Sequence, residues 1–192
     1  MTLKKAAVLL AAAVLLTIFA LGSAWAARGV TDDSIKIGIV LVKTGPVASL
    51  GEPNGQGMQD YMNYINEQGG INGRKIEFLW EDDQFEAPKS VAAVKKLMTR
   101  DKVLTIMTTG GTNQTIANLG NIASFHIVNI PNALAVEFFE PLNPFIFAMG
   151  ATYEAQYQCI VDYINDDLKM ESPKIGVVYA KKEYGKIGRA HV

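Results

Sequence analysis

The chain has 192 residues, 49% of them hydrophobic and 19% charged, with a formal net charge of −1. That length allows one full globular domain and part of a second. The near-neutral balance, without a basic stripe or cluster, excludes nucleic acid as a partner class. A single cysteine, Cys159, excludes an intramolecular disulfide.

Residues 1–26 have the three parts of a secretory signal. Lys4 and Lys5 form a positive n-region, residues 6–21 are apolar except for Thr17, and Ala24-Trp25-Ala26 places small residues at the recognition positions. Cleavage is expected before Ala27. The apolar run is short for a membrane span, which needs about 20 residues. Removing the segment leaves 16 basic residues against 19 acidic ones.

Residues 35–42 are nearly all apolar, as in a strand covered on both faces. Residues 43–52 are a Gly/Pro/Ser loop. A helix is predicted from Pro53 or Asn54 to Glu67, with Met58, Tyr61, Met62 and Ile65 as its buried stripe. Gly69-Gly70 suits the left-handed turn that ends a helix. A second strand covers residues 75–80 and ends in Glu81-Asp82-Asp83. Pro88 suits the first turn of the next helix, where Val91, Val94, Leu97 and Met98 line one face.

A third strand is predicted over residues 103–107. The loop from Thr108 to Thr112 leads into a third helix, with Ile116, Leu119 and Ile122 inward. Residues 126–130 form a fourth strand, stopped by Pro131. A proline-containing connection precedes a short strand at 145–149. Residues 153–168 read as a helix with Tyr157, Ile160, Val161 and Ile164 inward, and Cys159 on that face reads as a buried free thiol. Residues 174–179 form the last strand. The β-α-β alternation predicts an α/β fold with a parallel, doubly wound sheet.

The order Thr44-Gly45-Pro46, Gly51-Glu52, Gly69-Gly70-Ile71-Asn72-Gly73 and Asp82-Asp83 resembles the N-terminus of periplasmic solute-binding proteins of the branched-chain amino acid type, which serve ABC importers. The resemblance extends over residues 35–185. It implies the type I periplasmic binding fold: two similar lobes with the ligand between them, closing on a hinge. Residues 33–146 would be lobe one and 147–185 an incomplete start of lobe two. The last residues, 186–192, can be back-translated into a string resembling sequencing-adapter read-through. They are expected to be an artefact, so His191 carries no functional weight.

Three loops are expected to line the cleft. Residues 108–113 join a strand end to a helix start, where free N–H groups and the helix dipole favour a carboxylate. The candidates there are Thr108, Thr109, Gly110, Gly111 and Thr112, with Thr112 or Asn113 as an ordinary helix cap the alternative. The resemblance implies that a binding serine of relatives falls near Gly110. It also implies contacts from Asn132, Ala133 and Leu134, an apolar contact from Leu50, and a tyrosine, Tyr184, closing from lobe two.

Glu81-Asp82-Asp83 is expected to be a solvated strand end rather than a metal site. No nucleophile–base pair or phosphate loop is visible, and no cofactor is expected. The resemblance implies an extracytoplasmic protein, a monomer, that captures an amino acid or related small carboxylate for an ABC permease. An extracytoplasmic ligand-sensing domain is the alternative.

Overall fold

The protein was analysed as a computed structural model that describes residues 27–181 and Gly185. The expected signal peptide, Tyr184 and the tail 186–192 lie outside the described residues. Three parallel strands form the sheet: β1 (Ser34–Val40), β2 (Lys75–Glu81) and β3 (Thr105–Thr109), in the order β2-β1-β3. β1 pairs along its whole length with β2, from Ser34 opposite Lys75 to Val40 opposite Glu81. Its pairing with β3 shifts register between Gly38 and Val40.

Helices α1 (Ala48–Glu67), α2 (Ala87–Lys96) and α3 (Thr112–Phe125) connect these strands. Alternation along the strands sends side chains to two faces. Ile35, Ile37 and Ile76 pack with Met62 of α1 on one face. Val40 and Ile106 pack with Val94 of α2, Leu97 of the π-helical turn after it and Ile122 of α3 on the other. The sheet is therefore covered on both sides, as its apolar strands require.

Several expectations need correction. α1 begins at Ala48 and contains Pro53. Its buried face carries Gly51, Gly55 and Met62, and Tyr61 is 60% exposed. A Cβ at position 51 would stand 2.2 Å from the Val42 carbonyl oxygen. Glycine thus lets the helix approach the sheet more closely than any side chain would, and Tyr61 is turned outward.

α3 departs from the predicted stripe as well. Ile116 points to solvent, while Gln114, Thr115 and Asn118 are buried with Ile122. The reason lies in α2, which faces α3 with Ser90: Asn118 Nδ2 donates to Ser90 Oγ at 3.1 Å.

The two outer strands shrink to single bridges, Ile106 with Asn129 and Asn129 with Ile146. Asn129 also donates through Nδ2 to Ile106 O at 2.9 Å, so its side chain supplements the ladder. Residues 174–179 pair with no strand among the described residues. Helix α4 (Tyr153–Asp162) buries none of its residues, and Cys159 is exposed rather than buried. Tyr157, Val161 and Ile164 are half-buried and Ile160 is 55% exposed, because no described element covers that side of α4. Among the described residues, no helix is long and apolar enough to cross a membrane.

Candidate functional site

Going from β1 to β2 the chain moves to one side of the sheet through α1; from β2 to β3 it crosses to the other side through α2. The strand order therefore reverses between β1 and β3, and a crevice opens beyond their carboxyl ends. A cavity of about 380 Å³ occupies that crevice. Leu41, Val42, Val47, Leu50 and Gly51 line it after β1, and Phe85 after β2. Gly110, Gly111 and Thr112 line it after β3, and Asn132 and Ala133 after the Asn129 bridge. Asn54 and Tyr153 complete the wall.

Each loop is held by local chemistry. Asp82 Oδ1 accepts the N–H groups of Lys43 at 2.8 Å, Gln84 at 3.0 Å and Thr44 at 3.3 Å, and the Thr44 hydroxyl donates to Oδ2 at 2.5 Å. Burial pushes the Asp82 carboxyl up, but these donors, led by the Thr44 hydroxyl, outweigh it and hold the group below the usual carboxylate range. The loop after β1 is thereby tied to the end of β2. Next to it, Asp83 is wholly buried and its carboxyl is pushed up, mainly by burial and further by the Asp82 charge. This acidic run works as loop capping, and among the described residues no cluster could hold a metal ion.

The loop after β3 divides the predicted residues. Gly110 takes φ +42° and donates its N–H to Val40 O at 2.7 Å. Gly111 caps α3 with no side-chain hydrogen bond, so the first-turn N–H groups have no side-chain cap, and Gly111 and Thr112 both line the cavity. The Thr112 hydroxyl, on a buried residue that lines the cavity, has no partner.

Thr109 points the other way. It is fully buried, its hydroxyl lies 3.0 Å from that of Thr115 and donates to Asn129 Oδ1 at 3.3 Å, and it does not line the cavity. Thr108 is buried, and neither it nor Leu134 lines the cavity; Leu134 instead accepts the Tyr153 N–H through its carbonyl at 2.9 Å. Leu50 lines the cavity at its mouth, 75% exposed.

Sequence reasoning did not single out Val42, Asn54, Phe85 or Tyr153. Phe85 carries a signal only in retrospect: it follows two acids whose carboxylates cap their own loop, and its φ of +61° turns the ring into the crevice. The wall has no charged side chain. Its polar side chains are Asn54, Thr112, Asn132 and the Tyr153 phenol; the rest are glycine or apolar.

A doubly covered parallel sheet with an uncharged crevice at its switch point is an α/β lobe of the doubly wound kind. The chain belongs to the periplasmic binding protein family, whose model matches residues 34–192. It is 30% identical over 152 residues to an amino acid binding protein of Pseudomonas aeruginosa, across 79% of this chain and 40% of that one. Among solved structures, it is similar to a fatty acid ABC transporter substrate-binding protein from Thermomonospora curvata, with 29% identity and a TM-score of 0.74, covering 85% of this chain and 41% of that one. The fold is also shared with the branched-chain amino acid transporter substrate binding protein LivJ from Streptococcus pneumoniae, solved with isoleucine. The TM-score is 0.71 at 23% identity, covering 83% of this chain and 45% of that one. The chain spans about two fifths of the length of the curated relatives it matches.

Proposed function

We propose that this chain supplies one wall of a solute-capturing cleft, and that the whole protein binds a small apolar carboxylate, such as a branched-chain amino acid, and delivers it to an ABC permease. The carrying observation is the Thr112 hydroxyl, buried and unpartnered, beside the uncapped start of α3 in a largely apolar cavity. An anionic oxygen placed there meets a hydroxyl donor, backbone N–H groups and the positive end of the α3 dipole. Val42, Val47, Leu50 and Phe85 then face the ligand's hydrocarbon.

A ligand ammonium finds no acid on this wall, so its counter-charge has to come from the facing lobe. The names of the relatives, which include amino acid and fatty acid binders, support this ligand class. Lobe one then comprises residues 33–146, lobe two begins at about residue 147, and Tyr184 covers the ligand from that side. Binding closes the lobes on their hinge, and the permease reads the closed form. The compartment is the periplasm, reached by cleavage of residues 1–26.

Calorimetry on the two-lobed protein with L-leucine, 4-methylpentanoate and octanoate tests the reading. Thr112→Val keeps the side chain's shape and removes the donor. It is expected to cost about 1.5–3 kcal/mol, roughly tenfold or more in affinity. Unchanged affinity in Thr112→Val would remove α3 from the site.

A further inference from the structure

Asp83 sits beneath the cleft without reaching it. Its Oδ1 accepts the Phe85 N–H at 2.9 Å and so fixes the residue whose ring lines the cavity. Its Oδ2 is buried, and the Ser90 side chain acts on the carboxyl as a hydrogen-bond donor. That oxygen lies 2.7 Å from where a Cβ on Gly110 would stand, so the carboxyl packs directly under the loop at the start of α3. Gln114 Oε1, buried and unpartnered, lies 3.0 Å from the corresponding point on Gly111. Phe85 Cε2 is 2.8 Å from that same point, so acid, ring and both glycines form one packed unit.

We infer that Asp83 is a positioning residue for solute capture, whose buried carboxyl props Gly110 and Phe85 from beneath the loop. The inference rests on the reading of this crevice as a carboxylate site. An ionised Asp83 would place a second negative charge directly behind the bound anion, in a region with little water to screen it. No cation offsets it. Asp82 acts on it as a like charge and raises it, the Phe85 N–H and the Ser90 side chain lower it as hydrogen-bond donors, and α3 presents the neutral Gln114. Glu86 and Lys89, at the start of α2, pair with each other at 2.8 Å. Burial already holds the Asp83 carboxyl above the usual range, which favours the uncharged form.

Linkage then fixes the sign. As pH rises through the raised Asp83 value, the acid ionises and the affinity for an anionic ligand falls.

The test measures affinity of the two-lobed protein for L-leucine and 4-methylpentanoate by calorimetry as pH rises from the ordinary Asp value of 3.8. Wild-type affinity is expected to fall by about threefold to tenfold as Asp83 ionises. Asp83→Asn keeps the shape and the Phe85 bond but cannot ionise, so its affinity should stay at the low-pH value throughout. A flat wild-type profile, an Asp83→Asn profile that follows the wild type, or roughly tenfold weaker binding by Asp83→Asn at every pH overturns the inference.

Gly110→Ala serves where Asp83→Asn does not fold. It presses a methyl onto Oδ2 at a left-handed backbone position, so it should lower the unfolding midpoint and lose affinity by about tenfold. Full affinity in that variant overturns the inference. Failure of the site reading looks different: wild type binds neither probe. Amide exchange at Gly110 and Phe85, whose N–H groups donate to Val40 O and Asp83 Oδ1, then scores the prop without ligand. It should be slow in wild type and Asp83→Asn and fast in Asp83→Ala, and equal rates in all three overturn it.

Discussion

Gly55 of α1 lies flat against the Trp80 indole of β2: a Cβ at position 55 would stand 2.4 Å from both Cη2 and Cζ2 of the ring. The ring cannot move away cheaply. Its Nε1–H donates to Leu41 O at 2.9 Å, and Lys43 Nζ sits 4.7 Å from its centroid. Glycine-to-alanine in a helix ordinarily gains up to about 1 kcal/mol. Here overpacking wins, so Gly55→Ala should destabilise by about 1–3 kcal/mol. Chemical denaturation measures this, and a stabilised variant would show that α1 can shift off the sheet.

Thr109 and Thr112 should separate stability from binding. The Thr109 hydroxyl is spent on Thr115 and Asn129 within the fold. Thr109→Val leaves those partners unsatisfied and should cost about 1–3 kcal/mol of stability with little change in ligand affinity. Thr112→Val should do the reverse. Paired calorimetry and denaturation on the two variants check the split, and equal effects on both measures would refute it.

Asp82 gives the fold an acid-sensitive tie. Its folded-state pKa is depressed, so its contribution is present above the unfolded value of 3.8 and is lost as pH falls through the lower folded value. Asp82→Asn should therefore be less stable than wild type at neutral pH, with the two curves converging at the acid end. The group is partly exposed, so the effect should be modest and smaller in high salt. Denaturation midpoints across the acid range test it.

Leu97 is fully buried, and its Cδ1 would stand 2.9 Å from a Cβ on Gly38. Leu97→Ala opens a cavity between α2 and β1 and should cost about 2–5 kcal/mol. Urea denaturation reads the cost directly. A loss well below that range would mean that the π-helical turn Leu97–Asp101 collapses into the space.

Export predicts a defined N-terminus. If Ala24-Trp25-Ala26 directs cleavage, Edman sequencing of the exported protein starts at Ala27. Retention of residues 1–26 would refute cleavage.

Much of the fold was legible from local pattern. The apolar block at 35–42 and the 3.6-residue spacing of Val94, Leu97 and Met98 each report their own burial, because period and apolarity are properties of neighbouring residues. Their order then required a parallel α/β sheet, and the loops after the strands marked the end where a crevice forms. Gly69 and Gly70 also read correctly as a left-handed helix end, with φ of +104° and +81°.

Tertiary contact alone decided the rest. Tyr61 had the right spacing to be buried, but the close approach of Gly51 and Gly55 rolled α1 onto a different face. Gln114 and Asn118 lie off the predicted stripe of Ile116, Leu119 and Ile122, yet both are buried, and Ser90 of α2 supplies a partner for Asn118. Thr109 and Thr112 look alike in the sequence; the turn at Gly110 places the Thr109 hydroxyl in bonds within the core and leaves the buried Thr112 hydroxyl without a partner beside the cavity. Asp83 looked like one more acid in a solvated run, and only the Gly110 backbone packed against it gives it a buried face. Sequence determines what a residue can do with its nearest neighbours along the chain. Which distant backbone covers it, and so which polar atoms are left to meet a ligand, is set only when the elements pack.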